Sequence, residues 1–157
     1  MRFYGDNQKP CTCAQSTVTK YQKRLSGPLL DRIDIHIEVP RVDYAKLSSD
    51  RLGESTAAIR QRVQTARDIQ TARFATGESY NIACNADMRI GEIRKFCKLD
   101  ETGESLMRSA MSQMNLSARA YHRLLKLART IADLTGSETI QPPHLAEALQ
   151  YRPKLLI

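Results

Sequence analysis

The sequence has few of the residues that mark fibrous, secreted or membrane-spanning proteins. Its 157 residues include only seven Gly and six Pro, which excludes collagen-like chains and chains dominated by linkers. Four Cys are too few for a disulfide framework, so we expect a protein of the reducing cytoplasm. No apolar run approaches the roughly 20 residues that a membrane-spanning helix needs, and we therefore expect no membrane partner.

The sequence also lacks a loop that would cradle nucleotide phosphates. Its glycines at Gly53, Gly77, Gly91 and Gly103 are isolated, and the pattern Gly-x-x-x-x-Gly-Lys-Ser/Thr is absent. The three histidines do not cluster in sequence, and nothing around them indicates a catalytic triad. Autonomous nucleotide hydrolysis by this chain is therefore not expected.

Cysteine spacing gives little support for a metal site. Cys11 and Cys13 are close enough to donate two thiolates to zinc, but a tetrahedral structural site needs about four ligands. Cys84 and Cys97 are distant in sequence, and no Cys-x-x-Cys pair is present. Cys97 falls on an apolar helical face, where an ordinary core position is expected. We therefore predict no metal site in this chain.

Positive charge is what the sequence has in excess. Lys and Arg total 24 against 17 Asp and Glu, which gives a formal net charge of +7 at neutral pH. Hydrophobic residues make up 41% and charged residues 26%, a globular balance that argues against wholesale disorder. A basic surface makes nucleic acid or nucleotide phosphates the first partners to consider.

One segment has the alternation of a β-strand. Between Ile33 and Val39 the β-branched residues fall on one face and the polar residues on the other, and Pro40 ends the pattern. A strand with one polar face is typical of a sheet edge. Because no second strand is predicted, its backbone groups lack partners within this chain. We expect those partners to lie on absent polypeptide or on another copy, so that the chain is a fragment.

Residues 54–151 have the periodicity of successive amphipathic helices with short loops, which predicts a small helical bundle over 87–151. Asp100 and Ser117 are predicted N-caps, and Gly136 is a predicted helix end. The predicted helices cover 54–74, 89–98, 100–115, 117–134 and 142–148. Their predicted buried stripes are Ile59, Val63, Ala66 and Gln70; Ile90, Ile93 and Cys97; Leu106, Met107, Ala110, Met111 and Met114; and Tyr121, Leu124, Leu125, Ala128, Ile131 and Ala132.

The helix over 117–134 has an unusual polar face. Arg119, Arg123 and Lys126 lie opposite its apolar stripe, and no acidic residue occurs in this helix before Asp133. Positive charge near a helix start opposes the macrodipole, which favours negative charge there. An anion such as a phosphate would stabilise Arg119 at this position; a solvated basic face is the alternative interpretation.

Arg32 comes directly before the predicted strand, where Pro28 suits the first position of a single helical turn. A guanidinium at such a sharp junction can project toward a neighbouring molecule. The alternative is a surface ion pair with Asp31 or Asp34, worth about 0–1 kcal/mol. From the residues alone, the surface pair is the favoured interpretation.

Three stretches of the sequence resemble the magnesium-chelatase-like AAA+ ATPases of the ComM (YifB) type. Residues 27–40, with their Leu-Leu-Asp-Arg motif, resemble the end of the ATPase core. Residues 115–134 resemble the sensor-2 helix of that family, and residues 144–152 resemble its C-terminal close. The resemblance runs from about Tyr4 to Arg152, nearly the whole chain.

This resemblance implies a mainly α fold: a small helical bundle, the AAA+ lid domain, preceded by a remnant of the α/β ATPase core with one edge strand. It divides the chain into a core remnant at 1–47, a connecting helix and loop at 48–86, the lid at 87–151 and a tail at 152–157. Family members carry the phosphate-binding loop, the metal motif and the sensor-1 asparagine upstream of anything in this sequence. The chain therefore resembles a C-terminal fragment, which is expected to have no ATPase activity alone.

The resemblance also implies roles for individual arginines. Arg32 matches the arginine finger, a catalytic group that acts in the ATP site of a neighbouring subunit. Arg119 matches the sensor-2 arginine, which contacts the terminal phosphate, and Arg123 and Arg129 are candidates to assist it at the nucleotide. The resemblance implies that the parent protein is a homo-hexamer that uses ATP and Mg²⁺ to remodel single- or double-stranded DNA, with branch migration as its activity. No cofactor is expected for this chain alone.

Three alternatives stay open, of which the simplest is an interaction scaffold without chemistry of its own. The helices over 106–134 imitate a helix-turn-helix module in which Arg119, Arg123 and Lys126 would read DNA. The chain is also similar to the ATPase subunit of a metal chelatase, which would need a partner subunit and a porphyrin substrate. The ComM-like C-terminal close argues against the chelatase.

Overall fold

The structure, a computed structural model, describes residues 9–24, 27–30, 32–39, 42, 44, 48, 53–75 and 82–152. The chain divides into two compact units: Met1–Arg51 with Pro153–Ile157, and Leu52–Arg152. The described residues of the first unit include helices α1 (Gln15–Gln22) and α2 (Gly27–Leu30). Those of the second include α3 (Thr56–Ala75), α4 (Ile90–Phe96), α5 (Glu101–Gln113), α6 (Ala118–Leu134) and α7 (Pro142–Gln150), with a 3₁₀ turn at Asn85–Asp87.

This element order confirms the expected fold class, which is mainly α with a small helical bundle. No helix in the described parts of the chain has both the length and the apolar character needed to cross a membrane. α3 lies in the same compact unit as the four helices that follow it. The expected division at residues 47, 86 and 151 stays a prediction.

The predicted edge strand over 33–39 does not form. These residues have no regular secondary structure, and their apolar face is exposed, from 42% at Ile33 to 84% at Val39. A strand is stable only when a neighbour takes its backbone hydrogen bonds. The described part of the chain contains no strand that would do so.

α6 is the centre of the second compact unit, Leu52–Arg152, which we call the helical unit. It packs against α3, α4, α7 and the 3₁₀ turn, and α5 packs on α7. The predicted stripe of α6 is confirmed, since Leu124, Leu125, Ala128, Ile131 and Ala132 are all buried. Tyr121 is partly buried against the same core. Facing helices add Met107 and Ala110 from α5 and Leu145 and Ala148 from α7.

The predicted helix caps are also confirmed. The Asp100 carboxylate accepts a hydrogen bond from the Gly103 N–H at 2.7 Å. The Ser117 hydroxyl accepts one from the Ala120 N–H at 3.2 Å, so α6 begins where the sequence predicts. At its other end Gly136 has a φ of 71°, the left-handed conformation that lets the chain turn back and close the helix.

In α3 and α4, the predicted apolar stripes include residues that are not buried in the structure. Ala66, Gln70 and Phe74 of α3 are buried, but Ile59 and Val63 are 41% and 40% exposed. Periodicity marks the apolar face of a helix, but the helices packed against α3 cover only its second half. Ile90 is likewise 53% exposed because it is the first residue of α4.

Candidate functional site

Arg119 occupies the second position of α6 and is exposed. The first turn of the helix contains no acidic residue. Among the ion pairs that the described residues form, none includes Arg119. The guanidinium lies near the positive end of the helix dipole, and within the described residues no carboxylate forms an ion pair with it. The arrangement is therefore suited to an external anion.

Arg123 lies one turn further along α6, so it follows Arg119 on the same side of the helix. Its side chain is half-buried. The structure thus brings two of the predicted nucleotide contacts together on one helix face. The roles of both arginines stay predictions.

Lys126 is not part of an open basic face. Its Nζ donates a hydrogen bond of 2.7 Å to the backbone carbonyl of Ala86, which ties the 3₁₀ turn to α6. The helix-turn-helix alternative requires Arg119, Arg123 and Lys126 to face DNA together. Since Lys126 bonds internally and Arg123 is half-buried, the structure weakens that alternative.

Arg129 is a correction to the expected helper positions, because its side chain is in the interior and only 2% of the residue is exposed. Its Nε donates to the Asp133 carboxylate at 3.0 Å, and its terminal nitrogens donate to the backbone carbonyls of Ser137 and Glu138. Burial lowers the pKa of this guanidinium, and Asp133 offsets part of that effect. Arg129 holds the end of α6 against the following loop and is not placed to reach a nucleotide.

The Asp133 carboxylate is the centre of a larger buried network. It also accepts hydrogen bonds from Arg73 of α3 and, at 2.7 Å, from the Asn85 side-chain amide. Arg73 in turn donates to the Asn85 side-chain carbonyl at 2.9 Å. The Asn85 N–H donates to Gln70 of α3 at 3.0 Å. This network joins α3, the 3₁₀ turn and α6, and sequence reasoning missed it.

Arg32 lies in the other compact unit, two residues after the end of α2. It is exposed, and its backbone N–H donates to the Leu29 carbonyl at 3.0 Å, which extends the helical turn by one bond. The predicted single helical turn before Arg32 is therefore present, but the strand predicted to follow Arg32 is not. The predicted role of Arg32 as an arginine finger depends on a neighbouring molecule.

The cysteines lie in two contrasting environments. A hydrogen bond with Cys11 raises the pKa of the exposed Cys13 thiol. Burial raises the pKa of Cys97 to about 11, and Cys97 occupies the core as expected. In the described parts of the chain, no three His, Cys, Asp or Glu residues are grouped as metal ligands would be.

Two family profiles match the chain, together with several relatives. The family described as "Magnesium chelatase, subunit ChlI C-terminal" matches residues 53–152, and "Magnesium chelatase, subunit ChlI" matches residues 2–47. "Competence protein ComM" of Haemophilus influenzae is 44% identical over 137 residues, 86% of this chain and 25% of the relative. "Uncharacterized protein YifB" of Escherichia coli is 41% identical over 150 residues, 95% of this chain and 28% of the relative. The chain therefore spans about a quarter of the length of these relatives.

Proposed function

The chain belongs to the magnesium chelatase ChlI family, in its ComM and YifB branch. From this membership we propose that it forms part of a larger, ring-forming AAA+ ATPase. In this proposal the helical unit is the lid over a nucleotide bound by the ATPase core. The chain contributes arginines to ATP hydrolysis, while the phosphate-binding loop belongs to the rest of the protein. The ring is a homo-hexamer.

The environment of Arg119 is the observation that carries the proposal. An exposed guanidinium in the first turn of α6 has no described ion pair and no acidic neighbour in that turn. This arrangement suits the terminal phosphate of ATP, with Arg123 one turn behind. When bound, ATP supplies the phosphoryl group, and Arg119 holds negative charge at its terminal oxygens. The Mg²⁺ that accompanies ATP has no grouped ligands among the described residues.

Arg32 would act in the site of the next subunit. An arginine finger stabilises the charge that develops on the transferring phosphoryl group and can increase the rate by about 10³–10⁵. The exposed position of Arg32 at the end of α2 allows it to reach another molecule. Its contribution is to the transition state and not to nucleotide affinity.

We further propose that the work of the ring is done on DNA. The net charge of +7 favours a polyanionic partner. The Haemophilus influenzae relative is named a competence protein, which agrees with DNA as the substrate. The specific activity that we propose for the whole protein is branch migration during recombination, with single- or double-stranded DNA as its partner.

A sensor-2 role for Arg119 can be tested in a full-length protein that contains this segment. Arg119→Ala should lower ATP turnover by on the order of 10²-fold, because one donor to the developing charge is lost. Arg108→Ala, which removes an exposed arginine from α5, is the matched control and should leave turnover within twofold. Equal turnover in the two variants would remove Arg119 from the ATP site.

The family descriptions favour a second candidate, the ATPase subunit of a magnesium chelatase. That function requires a partner subunit and a porphyrin. The two candidates separate in one experiment, in which ATP turnover is measured with DNA or with a porphyrin and chelatase partner subunits. Stimulation by DNA alone supports the proposal above, and stimulation only by the chelatase mixture supports the second candidate.

A further inference from the structure

An open groove of about 490 Å³ lies between α4, α5 and α6 on the helical unit. Arg94 and Lys98 line one side, and Glu104 of α5 lines another. Tyr121 and His122 of α6 line the groove as well, with the buried Leu125. None of these side chains has a role in the proposed ATP chemistry.

The charges of the groove favour an anion. Arg94 and Lys98 are four residues apart and exposed, and they outnumber the single carboxylate of Glu104. None of the ion pairs formed within the described ranges includes Arg94 or Lys98. Both cations are therefore available to phosphate groups from outside the protein.

The α6 side of the groove offers a surface for a flat ring. Tyr121 is half-buried, and its ring meets the His122 ring edge to face, with 5.4 Å between centroids. The buried Leu125 beside them forms part of the groove wall. Aromatic side chains next to a cationic groove are the combination that binds unpaired bases and their phosphates.

We propose that this groove binds single-stranded nucleic acid, with phosphates on Arg94 and Lys98 and an unpaired base on Tyr121. This inference deepens the proposed function, on which it rests for DNA as the partner. It assigns a strand-binding surface to the helical unit. A duplex keeps its bases stacked inside, so it can use the two cations but not the tyrosine.

The test measures binding of fluorescein-labelled dT₁₅ to this chain by anisotropy without ATP. Lys98→Glu should weaken binding at least tenfold. The matched control is Lys95→Glu, which makes the same charge change at an exposed position outside the groove lining; it should weaken binding less than threefold. An equal loss of affinity in the two variants would show that the strand binds a diffuse basic surface, and it would overturn the assignment to the groove.

A second pair of variants tests the aromatic contact. Tyr121→Leu should weaken dT₁₅ binding at least fivefold, and Tyr121→Phe should restore it, because a stacking platform is needed. Thermal melts check that the variants fold. If Tyr121→Leu unfolds, Lys98→Ala still decides the outcome: it should reduce the salt-dependence slope by about 0.7, and an unchanged slope would contradict the proposal.

Competitors identify the ligand. Unlabelled single strands of DNA or RNA should displace dT₁₅, and the sugar that competes better is the one the groove prefers. A duplex, thymidine monophosphate or an acidic peptide that competes equally well would overturn the assignment to a single strand. Because these measurements need no ATP, a failure here leaves the Arg119 test intact. Loss of the Arg119 effect with groove binding retained would instead remove only the ATPase role.

Discussion

The segment 33–39 and the helical unit bury apolar residues to very different extents. The four alternating β-branched side chains of the segment are 42% to 84% exposed, whereas Leu124 and Leu145 in the helical unit are at most 1% exposed. A helix satisfies its own backbone and needs only a neighbour for one face. A strand needs another strand for its hydrogen bonds as well. The apolar face of the segment therefore depends on a partner surface, and the helical unit does not.

α3 shows both situations within one element. Its second half packs into the core at Ala66, Gln70 and Phe74, while Ile59 and Val63 in its first half stay partly exposed. The two halves of this apolar stripe therefore contribute differently to the free energy of unfolding. Stability in this chain should come from the region that begins near Ala66, and four predictions test that contrast.

The largest expected effect comes from breaking the buried network at Asp133. Asp133→Asn should destabilise the helical unit by about 3–5 kcal/mol, because it leaves the guanidinium groups of Arg73 and Arg129 without their carboxylate. Urea unfolding followed by circular dichroism at 222 nm measures the change. The matched control is Glu54→Gln, which breaks the ion pair between Glu54 and Arg62. Because both side chains are 45–50% exposed, the substitution should lower the free energy of unfolding by only about 0–1 kcal/mol. A similar small cost for both variants would show that the network is not needed for stability.

A core truncation should have the next largest effect. Leu145 of α7 is fully buried, so Leu145→Ala should cost about 2–5 kcal/mol through lost apolar burial and the resulting cavity. The urea midpoint should fall with the slope of the transition unchanged. A loss below about 1 kcal/mol would mean that α7 does not belong to the cooperative unit.

The buried thiol of Cys97 should make the free energy of unfolding depend on pH. Burial raises its pKa from 9.0 to about 11, so the unfolded state loses the thiol proton first as the pH rises. This favours unfolding: the free energy of unfolding should be insensitive to this group below pH 9 and decrease between pH 9 and 11. By pH 11 the decrease should approach about 2 kcal/mol. The wild-type and Cys97→Ala curves of stability against pH should diverge above pH 9, and parallel curves would contradict the prediction.

The smallest effect is expected in the exposed segment. Ile37 is 68% exposed, so Ile37→Ser should change the free energy of unfolding by less than about 0.5 kcal/mol. Urea unfolding of this variant beside Leu145→Ala compares the two regions directly. A cost above about 1 kcal/mol would show that the segment is already packed against a partner.

Helix ends and buried faces could be predicted from the sequence because their signals are local. Asp100 and Ser117 cap α5 and α6 by hydrogen bonds to residues three positions away. Gly136 has the left-handed φ that its position after α6 requires. The candidate arginine at position 119 was visible for the same reason, since its conflict with the helix dipole depends only on neighbouring residues.

The buried ionic network could not be predicted because its members are far apart in sequence. Arg73 and Asp133 are 60 positions apart, and neither has a local pattern that names its partner. Arg129 and Asp133 are only four residues apart on α6, so their pairing had a local signal, but the burial of that pair depends on the distant Arg73 and Asn85. Nor could periodicity show that α3 is packed only from Ala66 onward, with Val63 left exposed. Such features become visible only once the helices are assembled.

The most direct test of the central claim uses mixed rings of the full-length protein. Subunits carrying Arg32→Ala are mixed with subunits whose own phosphate-binding loop is inactivated, and ATP turnover is measured. If Arg32 acts in the neighbouring site, each homogeneous ring should be nearly inactive and the mixture should recover turnover. Turnover that does not rise above the two inactive parents, or full turnover by Arg32→Ala rings alone, would contradict the account.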